Sequence, residues 1–246
     1  MKRLIGLSAI AVVIAAMLVL MGSRLAPAAA PGDPPQVGVA RDGRNGVEFV
    51  GHVEQAGPTV ETYGYLTHIN GLSDASLFTT ASPLGRNEKT ARFSFHGTAT
   101  VSQAFSVFAG AVGGAPPSAP SAFDTDSRGT LSFFFQQTGS DRSFATPATF
   151  QTGTVVSTYA MRFQDIVAAL VGVDPNRGVL SGTGELCQRS VKSFTLAGRR
   201  VQLGRTHLFQ RFSTHGWSVR TGGTPAGPTS FTNLGGNTQV FRSANC

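Results

Sequence analysis

The chain has 246 residues and 25.7 kDa, with 41% hydrophobic and only 13% charged side chains, 18 Phe and a mean hydropathy of +0.03. Such a chain can bury enough apolar surface to offset its ordering entropy, which excludes intrinsic disorder. Thirty Gly and 13 Pro amid frequent Thr and Ser exclude a helical bundle and favour strands punctuated by turns.

Lys2 and Arg3 precede an apolar run from Leu4 to Met21, followed by Gly22, Ser23 and the small residues between Ala26 and Ala30. That three-part build predicts a signal peptide over 1–30, cut after Ala28 or Ala30. The apolar run is also close to the length of a spanning helix, so an uncleaved anchor through residues 4–21 is the alternative. Either way the protein is expected to be secreted or extracytoplasmic, with no integral membrane span in its mature form unless the signal stays on, and with no nucleic acid as partner. Residues 31–45 are Pro, Gly and charge without periodicity and read as a linker. A single β domain is expected over 46–246.

Within that domain, Val47, Phe49, Gly51 and Val53 alternate with Glu48, His52 and Glu54, the pattern of a half-buried strand. Gly57-Pro58 turns the chain into a hairpin partner from Val60 to Ile69. Leu77 to Thr80 reads as a short strand. From Thr90 to Ser102 the period of two is longest, with Ala91, Phe93, Phe95, Gly97, Ala99 and Val101 against Arg92, Ser94, His96, Thr98 and Thr100. Residues 109–127 form a small-residue loop, and Gly129 to Gln137 reads as a strand buried on both sides, with Leu131, Phe133 and Phe135 on one face. Gly153 to Asp165 alternates again, although a short helix near 163–171 fits equally well. Gly178 to Ser190, the pair around Ala197-Gly198, His207 to Arg220 and Thr238 to Ser243 bring the total to about ten strands. With no alternating helices, the fold class is all-β, an antiparallel barrel or, alternatively, a β-sandwich.

Two cysteines in an exported chain favour a disulfide, so Cys187 and Cys246 are expected to be bridged, which brings the segment carrying Cys246 back to the strand at 187. From Arg177 onward nine basic residues face Glu185 alone, a net +8. Arg199, Arg205, Arg211 and Arg220 are therefore candidates for contact with an anionic envelope polymer or lipid head. Solvated Arg on outward strand faces is the plainer reading of the same residues.

Gly-x-Ser-x-Gly, His-Glu-x-x-His, Cys-x-x-Cys and Walker patterns are all absent from the sequence, and no cofactor or metal is predicted. Asp124-Thr125-Asp126 begins like a calcium loop, but Arg128 and Phe135 stand where oxygen ligands belong, so it reads as a turn into a strand. His52, Glu48, Glu54 and His96 lie on polar strand faces and are the weak candidates for general acid–base chemistry at a barrel mouth. Phe93, Phe95, Phe133 and Phe135 are the candidates for lining an apolar ligand site.

The runs Val47–Gly51, Tyr63–Leu66, Thr90–Phe95, Gly129–Phe133 and Ser193–Arg200 together resemble a group of secreted all-β bacterial proteins that brings no function with it. More remotely, a long alternating strand followed by Gly129-Thr130-Leu131-Ser132-Phe133 is similar to the small barrels of allene oxide cyclase and dirigent proteins. That resemblance implies a barrel rather than a sandwich and supplies no catalytic residue. The functional expectation is an exported, non-enzymatic barrel module that binds a small apolar ligand or an envelope component. The alternative is an isomerase-, cyclase- or hydrolase-type barrel enzyme.

Overall fold

Strands with an apolar residue at every second position bury one face and pair every backbone group when the sheet closes on itself. The computed structural model shows that solution; it describes residues 34–39, 43–107, 122–170, 174–224 and 227–246. The signal or anchor segment at 1–30 and the 109–121 part of the small-residue loop lie outside the described residues. Among the described residues eleven strands run in chain order: β1 (Gln36–Val37), β2 (Asn45–Ala56), β3 (Thr59–Ile69), β4 (Phe93–Val107), β5 (Ala122–Phe135), β6 (Thr154–Leu170), β7 (Asp174–Val191), β8 (Ser193–Leu196), β9 (Arg199–Leu203), β10 (Leu208–Thr224) and β11 (Gly227–Asn245). Eight of them close an antiparallel barrel in the order β2-β3-β4-β5-β6-β7-β10-β11, with β11 hydrogen-bonded back to β2. The remaining three form a small sheet in the order β1-β9-β8. The fold is therefore a barrel and not a sandwich.

Four expectations need correction. In the segment expected as a possible helix over 163–171, residues 163–170 are not helical: β6 continues through Leu170, because Phe163, Asp165 and Val167 keep alternating inward and pair along β5 and β7. The 31–45 linker carries structure, since Gln36 and Val37 pair in parallel with Gln202 and Leu203 and Val37 is buried. The Leu77–Thr80 strand is a 3-10 turn at Asp74–Leu77, followed by a single bridge from Phe78 to Ala91. The Asp124–Ser127 turn likewise lies inside β5, which starts at Ala122.

An eight-stranded barrel is just wide enough to be filled by its own side chains or to hold one small ligand. Here one end is plugged. The β8–β9 hairpin buries Phe194, Leu196, Val201 and Leu203, and the Phe194 ring meets Phe135 at 4.6 Å and Phe93 at 5.4 Å between centroids. Beneath the plug the buried Gln188 is fully used: its amide donates to Ser157 Oγ at 2.6 Å and to the Leu203 carbonyl at 2.8 Å, and its Oε1 accepts from the Arg205 backbone at 2.9 Å. Midway along the barrel Gly51 and Gly64 face each other across β2 and β3, and a Cβ on either would strike backbone and the Phe95 ring. Their lack of side chains is what lets Phe95 lie across the lumen.

The outer wall is polar at mid-height. Arg128, Arg162, Glu185 and Arg211 stand exposed in one cross-strand row over β5, β6, β7 and β10. A lipid-embedded barrel has the reverse polarity, an apolar outer band around a polar lumen. Among the described residues no helix is long and apolar enough to cross a membrane.

Candidate functional site

The lumen is the candidate site. Above the Phe194 plug, inward residues of all eight barrel strands leave an apolar cavity of about 50 Å³ whose walls include Phe49, Phe95, Phe133, Met161, Phe163 and Phe212. Toward the other end it gives way to a larger vestibule of about 470 Å³. Val53 and Asp165 belong to the walls of both and mark the neck between them. The vestibule is mixed in character: Val60, Val101 and Leu180 alternate with Gln55, Thr125, Ser218, Ser230 and Thr232, and its charged residues are Asp124, Asp165, Arg177 and Arg220.

Asp165 is the one carboxylate at the neck. It follows Met161 and Phe163 at every second position of β6, so the strand's own alternation turns it into the lumen. In register it lies beside Gly182 of β7, which lies beside Thr214 of β10. A Cβ at position 182 would collide with both Asp165 Oδ1 and Thr214 Oγ1, so the two side chains lean toward each other across the bare backbone of Gly182. Loss of water around the Asp165 carboxyl, with a smaller contribution from the neighbouring Asp124 charge, pushes its pKa up to about 7. A carboxyl poised there exchanges a proton near neutral pH, and in its neutral form it donates a hydrogen bond.

Of the four Phe candidates, Phe95 and Phe133 line the cavity, whereas Phe93 and Phe135 pack under Phe194 in the plugged end. The His/Glu candidates do not face the lumen. His52, Glu54 and His96 are on the outer wall, and the loop carrying the 3-10 turn Pro147–Gln151 packs over it. His52 stacks on Phe144 and also contacts Tyr63 and Phe231 edge-on. Burial lowers its pKa, although Glu54 and Glu88 pull the other way, and its Nδ1 is buried without a partner. Tyr63 separates His52 from His96 in the cross-strand register, which sets them two strand spacings, about 10 Å, apart. Each candidate is otherwise engaged: Glu54 accepts a hydrogen bond from the buried Tyr63 hydroxyl, His96 Nε2 is 2.6 Å from Glu61 Oε1, and Glu48 accepts from Asn45 at 2.9 Å nearer the plugged end. Burial is the main cause of the raised pKa of Tyr63, followed by that Glu54 bond. His52 and Tyr63 support the overlying loop through their ring contacts with Phe144.

The basic candidates are also dispersed. Arg199 stands exposed at the start of β9 and Arg205 follows that strand at the plugged end, Arg211 is on the outer wall, and Arg220 is in the vestibule at the far end. Cys187 and Cys246 are joined as expected, with Cα atoms 5.7 Å apart, tying the end of β11 to β7 across β10. Asp165, Thr214 and Gly182 were not singled out from sequence. The alternation of Tyr159, Met161 and Phe163 carried the signal, since position 165 continues the apolar face, but the rival helical reading of the same segment blurred it. Among the described residues no group of three metal-ligating side chains is brought together.

Comparison with known proteins leaves the assignment to this geometry, because no family model, no curated protein and no solved structure matches the chain.

Proposed function

We propose that this chain is an exported, non-enzymatic barrel module that takes a small apolar ligand into its lumen. One observation carries the reading: the inward Phe and Leu side chains do not fill the barrel, and the apolar cavity they leave adjoins a vestibule within the usual volume range of ligand pockets. Export is supported by the signal-like first 30 residues and by the Cys187–Cys246 pair, since disulfides persist in oxidising compartments. The enzyme alternative loses its support, because His52, Glu48, Glu54 and His96 lie outside the lumen. Contact with an anionic envelope polymer belongs, on this reading, to the outer-wall arginines around Glu185 and is accessory to ligand binding.

Thermal unfolding of the full chain against a panel of lipids and apolar metabolites is the test. A rise in Tm with at least one apolar compound is expected. Identical unfolding with every compound at saturating concentration overturns the reading, because a ligand that binds only the folded state must stabilise it.

A further inference from the structure

Resting on the ligand-binding reading, we infer that the ligand is an uncharged amphiphile whose single oxygen function, a carbonyl or hydroxyl, is held at the neck by Asp165 and Thr214 while its apolar tip enters the Phe-lined cavity.

The geometry at the neck carries this. Asp165 and Thr214 reach from β6 and β10 over Gly182, at the boundary between an apolar cavity and a mixed vestibule. A cavity lined by Phe95, Phe133, Phe163 and Phe212 offers nothing to a polar head, and its volume of about 50 Å³ suits only a short apolar group. The bulk of a bound molecule therefore lies in the vestibule, and whatever crosses the neck passes the Asp165 carboxyl. Covering the Asp165 carboxyl with hydrocarbon strips it of water without a new hydrogen bond, so a ligand oxygen that accepts its proton is preferred at the same point.

Charge decides against ions. The groups that face Asp165 are Asp124 from β5, Arg177 from β7 and Arg220 from β10, while β2 and β11 contribute only uncharged residues such as Val53, Gln55, Ser230 and Thr232. Among the described lining residues, two acidic and two basic side chains balance. A carboxylate at the neck meets the Asp165 and Asp124 oxygens, and an ammonium group must shed its water beside an apolar wall. A neutral oxygen incurs neither cost. Because burial holds Asp165 near neutrality, the donated hydrogen bond is present when the carboxyl is protonated and is lost as it ionises.

Calorimetric titration of the full chain with four probes of equal length, 2-decanone, decane, decylamine and decanoate, tests the inference. At pH 6 the ketone is expected to bind roughly tenfold more tightly than decane, the worth of one hydrogen bond in a dry site, and more tightly than either ion. Its affinity should fall as pH is raised from 6 to 8. Asp165→Asn, whose amide still donates, should keep the ketone preference and flatten the pH profile, and Thr214→Val should weaken the ketone and leave decane unchanged. Equal binding of ketone and decane, preference for either ion, or an unchanged pH profile in the Asn variant overturns the inference while the ligand-binding reading stands. If none of the four binds at any pH, the ligand-binding reading fails and this inference falls with it.

Discussion

The imidazole of His52 lies flat against the ring of Phe144, centroids 4.0 Å apart, and this pair attaches the 141–152 loop to the outer wall of the barrel. Stacking of this kind favours the neutral ring, because a proton on the imidazole would bring a charge into a site that burial has already stripped of water. His52 therefore has a lower pKa folded than unfolded. Its contribution to stability is complete above the unfolded value of 6.5 and is lost as pH falls through the lower folded value. Melting curves between pH 7.5 and 4.5 should show a decline in Tm over that window that is absent in His52→Phe, which keeps the stack and cannot be protonated.

Asp165 acts with the opposite sign. Its folded pKa of about 7 stands above the ordinary value of 3.8, so the fold favours the protonated form and loses stability as pH rises between these values. About three pKa units correspond to roughly 4 kcal/mol above neutrality, an order-of-magnitude figure. Asp165→Asn should raise Tm at pH 8 and do so much less at pH 4. An equal gain at both values would show that the carboxyl is not held protonated in the fold.

The Cys187–Cys246 bridge spans 59 residues, a segment that includes the β8–β9 plug and all of β10 and β11. On the chain-entropy account a loop of this size contributes on the order of 4 kcal/mol. Cys246→Ser should lower the denaturant midpoint accordingly, and a reducing agent should do the same to the parent chain. Because β11 remains paired with both β10 and β2, the variant should keep the strand signal in circular dichroism below its new midpoint.

Phe194 fills the plugged end against Phe93 and Phe135 and is buried. Phe194→Ala should cost about 3–5 kcal/mol, the usual range for a buried Phe truncated to Ala. Urea unfolding should register it as a shifted midpoint with an unchanged slope. A loss below about 1 kcal/mol would mean that the hairpin does not seal the barrel.

Tertiary context could also reverse an otherwise sound reading. His52, Glu54 and His96 were placed correctly on the polar strand faces, yet the enzyme reading needed those faces to meet at a mouth. Alternation sorts side chains to two faces and cannot say which face is the lumen. Once β11 pairs with β2, the Phe49–Val53 face becomes the inside and the His52 face the outside, where the loop carrying Phe144 and Phe150 covers it. No local signal in residues 141–152 announces that packing.

The long strands β2, β3 and β4, the hairpin at Gly57-Pro58, the disulfide pair and the all-β class follow from the sequence alone, because period-two hydrophobicity, turn residues and cysteine parity are local or countable properties. Closure into eight strands, the dispersal of Arg199 and Arg220 to opposite ends, and the meeting of Asp165 with Thr214 over Gly182 were decided only by the tertiary structure. Those features depend on register between strands distant in the chain, and register is set by the summed packing of the whole inner face rather than by any segment of it.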